Sequence, residues 1–137
     1  MKKYIFTIVI LLYQFTFSNI VAPPIANMIG DQAICDEGPA IDGIEYFDLT
    51  LYNLQILDGN PLPLSSYTVE YFLTQSDALN DLNPITNPSA FNGADGQTIY
   101  VRVTDIATSE FSLTYFGLMV FLPPQTLMPS TLLTTCD

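Results

Sequence analysis

The stretch Gln97–Val103, QTIYVRV, alternates without interruption: Ile99, Val101 and Val103 fall on one side, Thr98, Tyr100 and Arg102 on the other. A period of two is that of a strand with one face against a core. To either side of it, Ser66–Leu73 (SYTVEYFL) and Phe111–Phe121 (FSLTYFGLMVF) are rich in β-branched and aromatic residues and read as further strands. Glu45–Thr50 and Asn53–Leu57 give two short candidates. Turn signals stand between them: Asp42-Gly43, Asp58-Gly59-Asn60-Pro61, Asn83-Pro84, Asn87-Pro88, Asn92-Gly93 and Asp95-Gly96. One stretch is helix-like, Ser76–Leu82, with Ser76 placed to cap a turn carrying Ala78 and Leu79. Short strands with a turn every 8–12 residues or so predict an all-β fold, an antiparallel β-sandwich.

The chain has 137 residues, enough for one domain, and 49% of them are hydrophobic, enough for a core. Lys2 and Lys3 precede an apolar run from Tyr4 to Phe17. This is the pattern of a secretory signal peptide, and it falls short of the about 20 apolar residues of a comfortable membrane span. Cleavage is expected after Ser18. The alternative is an uncleaved N-terminal anchor. Beyond residue 18 a single basic residue, Arg102, faces fourteen carboxylates. Phosphate backbones and anionic lipids are repelled by such a surface, so no nucleic-acid partner is expected, and no membrane partner after signal cleavage.

The two cysteines, Cys35 and Cys136, sit in matching contexts. Residues 23–36 read PPIANMIGDQAICD and residues 123–137 read PPQTLMPSTLLTTCD, an offset of 100 residues between the prolines and 101 between the cysteines. An exported chain would allow the two to pair. The matched context points instead to repetition: residues 1–18 a signal peptide, 19–36 a linker and module start, 37–122 the sandwich module, and 123–137 a linker and the start of a next repeat.

Catalytic chemistry has little to work with. There is no His anywhere and no Lys past residue 3, so a Ser-His-Asp or Cys-His nucleophile has no base. G-x-S-x-G, S-x-x-K, P-loop and dinucleotide motifs are all missing. Zinc lacks ligands at any usable spacing. Paired carboxylates of the glycosidase kind remain, but fourteen acids pair by accident and no Trp offers a sugar platform. No catalytic residue and no cofactor is assigned. The acidic run Asp36, Glu37, Asp42, Glu45 and Asp48 has two readings: a calcium site at a module junction, for which Asp36, Glu37 and Asp42 are the candidates, or a solvated acidic edge. Without an EF-hand pattern the solvated edge is favoured. Tyr100 and Arg102 face away from the core side and have two readings, a recognition patch or, favoured for an exposed Tyr, cross-strand packing, and neither is assigned a role; Tyr115, Phe116, Leu118 and Val120 read as core.

The strings YFDLT (46–50), YTVEYFLTQSDALNDLNPITNPSAF (67–91) and QTIYVRVTDIATSEFSL (97–113) resemble the immunoglobulin-like repeats of very large cell-surface proteins of Bacteroidota, the flavobacteria especially. In that family similar modules follow one another, each opened by a Pro-rich linker and a Cys-Asp pair, and the chain often ends in a gliding-motility-associated sorting domain read by the type IX secretion system. The resemblance implies an immunoglobulin-like sandwich and an adhesive or spacer role. The family pattern also carries a second cysteine, in a Thr-Gly-Cys context, where this chain has Thr108-Ser109-Glu110. By that pattern Cys35 lacks the partner that the family would offer, and an unpaired Cys35 would forgo about 2–4 kcal/mol. A sorting domain is missing too, which suggests a truncated frame or a fragment. The expectation is therefore a non-catalytic, exported module of a bacterial surface protein, at the cell surface or outside it, or periplasmic if truncated. Its partners would be neighbouring modules or surface ligands. The rivals are a calcium- or carbohydrate-binding extracellular module and a nonfunctional gene remnant.

Overall fold

A computed structural model describes residues 22–38 and 40–123. The expected signal peptide and Cys136 lie outside these residues. Six strands carry the fold: β1 (Gln32–Cys35), β2 (Ile44–Phe47), β3 (Tyr67–Phe72), β4 (Phe91–Ala94), β5 (Thr98–Asp105) and β6 (Phe111–Phe121). They form a four-stranded sheet in the order β1-β6-β5-β3 and a two-stranded sheet of β2 with β4. The protein is an all-β sandwich.

The QTIYVRV strand is the centre of this arrangement. Ile99, Val101 and Val103 of β5 are fully buried, and their register partners on β6 are Phe116, Thr114 and Ser112. Tyr71 lies opposite Val101 from β3. The second layer supplies Phe47 from β2 and the buried Leu49, Ile56 and Leu57. Alternation thus sends one face of β5 and β6 into a single core, as the period of two requires.

The antiparallel expectation has one exception, since β1 runs parallel to β6 with Cys35 beside Phe121. Strand pairing accordingly begins at Gln32, inside the stretch read as linker and module start. Because the two strands are parallel, the chain arrives ahead of the start of β1 and departs past the end of β6, from opposite ends of the pair. The arriving segment is fastened by Asn60, whose side-chain Oδ1 accepts from the Ile25 amide at 2.8 Å while its Nδ2 donates to the Ile25 carbonyl at 2.8 Å.

Three local expectations are corrected. Asn53–Leu57 is not a strand: α1 (Asn53–Ile56) follows a 3-10 turn at Leu49–Tyr52 that Asp48 caps through the Thr50 amide. The cap commits the chain to helical turns, which bury Leu49 and Ile56 while Leu51 and Leu54 remain exposed. The helix expected over Ser76–Leu82 is α2 (Gln75–Asn80), and its cap is Thr74, whose hydroxyl accepts from the Asp77 amide at 3.0 Å. Finally, Asn92-Gly93 is not a turn but lies inside β4. A Cβ on Gly93 would stand 2.5 Å from a Leu118 methyl and 2.9 Å from the Phe47 ring, so glycine is needed for the two sheets to approach. The turn is the next pair, Asp95-Gly96, with Gly96 at φ +74°.

Candidate functional site

The acidic run lies where β1 ends and the chain departs. Asp36 is buried, at 3% exposure, and its amide continues the strand pairing by donating to the Phe121 carbonyl at 2.9 Å. Its carboxylate turns inward on its own loop. One oxygen accepts from the Asp42 amide at 2.9 Å and the Gly43 amide at 2.8 Å, and the other accepts from the Gly38 amide at 3.3 Å. Three amides around one carboxylate stabilise a tight loop much as a bound anion would.

The three calcium candidates are therefore neighbours with different work. Asp36 holds the loop. Asp42 accepts from the Ile44 amide at 3.1 Å, and the Glu37 amide donates to Glu45 at 3.1 Å. Among the described residues no three Asp, Glu, Cys or His side chains are gathered as a cation would require. A calcium ion needs six to eight oxygens, and the oxygens of Asp36 already accept bonds from the loop.

Cys35 corrects the sequence reading. It is disulfide-bonded, where the resemblance implied that it lacks its partner. The chain's other cysteine is Cys136. Pairing depends on proximity in space, and the parallel register that puts Cys35 beside Phe121 is what places a cysteine at the point of departure. The one sequence signal was the oxidising compartment that the expected signal peptide implies.

Tyr100 and Arg102 do face away from the core. Tyr100 sits directly opposite Tyr115, their rings 6.2 Å apart and tilted, as cross-strand packing has it, so Tyr115 is not core as expected but 51% exposed on the outer face. Arg102 is a feature that sequence reasoning missed. This lone cation of the described residues is buried at 8% exposure, with its guanidinium 3.5 Å over the Phe111 ring. It donates to the carbonyls of Ala78 at 2.9 Å and Leu79 at 3.2 Å, clamping α2 on the outside of the sheet. Glu70, its register partner on β3, has its carboxyl pushed up by burial and by the neighbouring Asp81, which Arg102 opposes in part. On the core side the Tyr71 hydroxyl lies 2.8 Å from the Leu49 carbonyl and 2.6 Å from the Asn53 Oδ1, its one proton going to either of the two acceptors. Burial foremost raises that phenol above its ordinary range.

No helix among the described residues is long and apolar enough to cross a membrane. No curated protein and no solved structure matches the chain significantly. A family model does match, over residues 31–124, which starts one residue before β1 and ends three residues past β6. The matched span covers every strand of the sandwich and more than half of the chain, and at its edge it holds a bonded cysteine where the chain leaves the fold. The chain belongs to the family of Flavobacterium inter-domain disulphide bond domains.

Proposed function

We propose that this protein is an exported, non-catalytic structural module of a flavobacterial cell-surface protein, an immunoglobulin-like sandwich whose Cys35 pairs with Cys136 and fastens the downstream chain to the end of the module. The observation that carries this reading is the disulfide at Cys35, set in register beside the last residue of β6. A bond placed there ties the departing chain back to the fold and stiffens the junction between one unit and the next. Such a joint suits a spacer or adhesive array, where stiffness keeps a distal ligand site away from the membrane. Export supplies the oxidising setting that keeps the bond closed. The strongly acidic surface, with its single cation buried, disfavours anionic partners and keeps the module soluble.

An immunoblot of the producing cells, with and without external protease, tests the placement. A band that the protease removes from intact cells is the expected result. A band that survives until the envelope is opened would contradict surface display.

The carbohydrate-binding reading has one observation behind it. A shallow groove of about 390 Å³ is lined by Tyr100, Tyr115, Gln75 and Thr98 on the outside of the sheet. Two aromatic rings beside an amide and a hydroxyl suit a neutral sugar, and a glycan array with Tyr115→Ala as control decides it.

A further inference from the structure

We propose that Asp58-Gly59 is a site of spontaneous covalent modification, at which the aspartate passes through a cyclic imide to isoaspartate and the arriving segment loses its fastening. Its chemistry needs no disulfide, so the site stands apart from the proposed joint.

The chain holds three Asp-Gly pairs, Asp42-Gly43, Asp58-Gly59 and Asp95-Gly96, and one Asn-Gly pair, Asn92-Gly93. Imide formation needs two free groups: a glycine nitrogen, which no side chain shields, and the side-chain carbonyl carbon of the residue before it. The fold engages both groups at two of the acidic pairs. The Gly43 amide donates to Asp36 at 2.8 Å while Asp42 accepts from the Ile44 amide at 3.1 Å. The Gly96 amide donates to the Leu118 carbonyl at 2.9 Å while Asp95 accepts from the Val120 amide at 2.9 Å. Gly93 lies inside the β2–β4 ladder, opposite Glu45. Asp58 and Gly59 are both exposed, and among the described residues neither the Asp58 carboxylate nor the Gly59 amide has a hydrogen-bond partner.

The Gly59 nitrogen bonds to Cγ of Asp58 in its acid form. The Cγ–OH bond breaks, and the hydroxyl leaves with the amide proton as water, closing a five-membered imide. Water then adds to one of the two ring carbonyls. Cleavage of the Cγ–N bond restores aspartate, whereas cleavage of the bond between nitrogen and the backbone carbonyl carbon routes the main chain through the side chain and leaves that carbonyl as a free carboxylate. One water is released and one consumed, so mass and charge are unchanged.

The main chain gains one carbon between two buried residues, Leu57 and Asn60. Asn60 is the residue that holds both polar backbone groups of Ile25, and the Asp58 carbonyl accepts from the Asn27 side chain at 2.7 Å. Lengthening the chain between them moves the two anchors of the arriving segment out of register with each other.

The test ages the purified full chain at neutral pH below its Tm, digests it with an endoprotease that cuts before aspartate but not before isoaspartate, and weighs the peptides. A cut at Leu57-Asp58 that is lost with time, without change of mass, is expected. Conversion at Asp42 and Asp95 should be at least about tenfold slower, since their glycine amides must first open. In urea all three acids should convert at similar rates. Hydrogen exchange at the Ile25 and Asn27 amides should speed up with the converted fraction. In Asp58→Glu, which keeps the charge but would have to close a six-membered ring, exchange should stay constant over the same time. The proposal is overturned by an Asp58 that stays intact while the urea-unfolded chain converts there, by equal rates at Asp58 and Asp42 or Asp95 in the folded chain, or by unchanged exchange at Ile25 in the converted protein.

Discussion

Replacing Arg102 by Met probes the outer face of the sheet most sharply. Met keeps much of the stem that packs between α2 and β5, and removes the guanidinium. Lost with it are the bonds to the Ala78 and Leu79 carbonyls and to the Thr104 hydroxyl, together with the stack on Phe111. The Leu79 residue is 56% exposed and water can reach its carbonyl, but Ala78 is fully buried and its carbonyl is left without a partner. A buried orphan costs about 1–3 kcal/mol, and a desolvated cation over an aromatic ring adds about 1–2 kcal/mol. The desolvation that the charge no longer has to bear offsets part of this. The net expectation is a loss of about 2–4 kcal/mol, or a fall in Tm of roughly 10–20 °C for a module of this size. Urea and thermal unfolding at pH 7 measure it. Because the partners are neutral carbonyls and not the facing Glu70, the difference between the two proteins should hardly change between low salt and about 0.5 M salt. A loss below about 0.5 kcal/mol, or one that salt erases, would refute the clamp.

Glu70→Gln is expected to raise Tm at pH 7. The carboxyl of Glu70 is pushed up in the fold, chiefly by burial, so its proton binds the folded state better and its ionisation costs stability as pH rises through the raised value. The gain should therefore shrink as pH is lowered towards about 4, where the acid is protonated in any case. Gly93→Ala should cost about 1–3 kcal/mol, because the new methyl meets Leu118 and Phe47 across the sheet interface. Gly30→Ala, where nothing lies within 4 Å, is its control in the same urea titration. Asp36→Ala should cost about 2–3 kcal/mol by stripping three loop amides of their acceptor. Calcium added to the wild type should leave Tm unchanged, and a rise that Asp36→Ala abolishes would favour the calcium reading.

The strands legible in the sequence were those whose alternation reaches the core on one face. The strands expected at 97–103, 66–73 and 111–121 are found within one or two residues of those bounds. Elements set by capping or by close approach were not legible. Asn53–Leu57 has the apolar content of a strand, but it continues the 3-10 turn that Asp48 caps and has no side-chain cap of its own. Asn92-Gly93 has the composition of a hairpin turn, and only the nearness of Leu118 shows why glycine sits mid-strand. The same holds at the departing end. The acidic run was visible, but an acid that coordinates a cation and one that accepts from its own loop have the same letter. The fate of Cys35 depended on the parallel register of β1, which no local pattern encodes.

The proposed joint stands or falls with a disulfide at Cys35 that fastens the departing chain to the sandwich. A peptide map of the unreduced protein, digested at acid pH to prevent thiol exchange and read by mass spectrometry, examines that bond itself. A single linked species is expected, joining the peptide that contains Cys35 to the one that contains Cys136, with no thiol open to alkylation before reduction. Recovery of Cys35 as an alkylated thiol, or linked to Cys35 of a second copy, would contradict it.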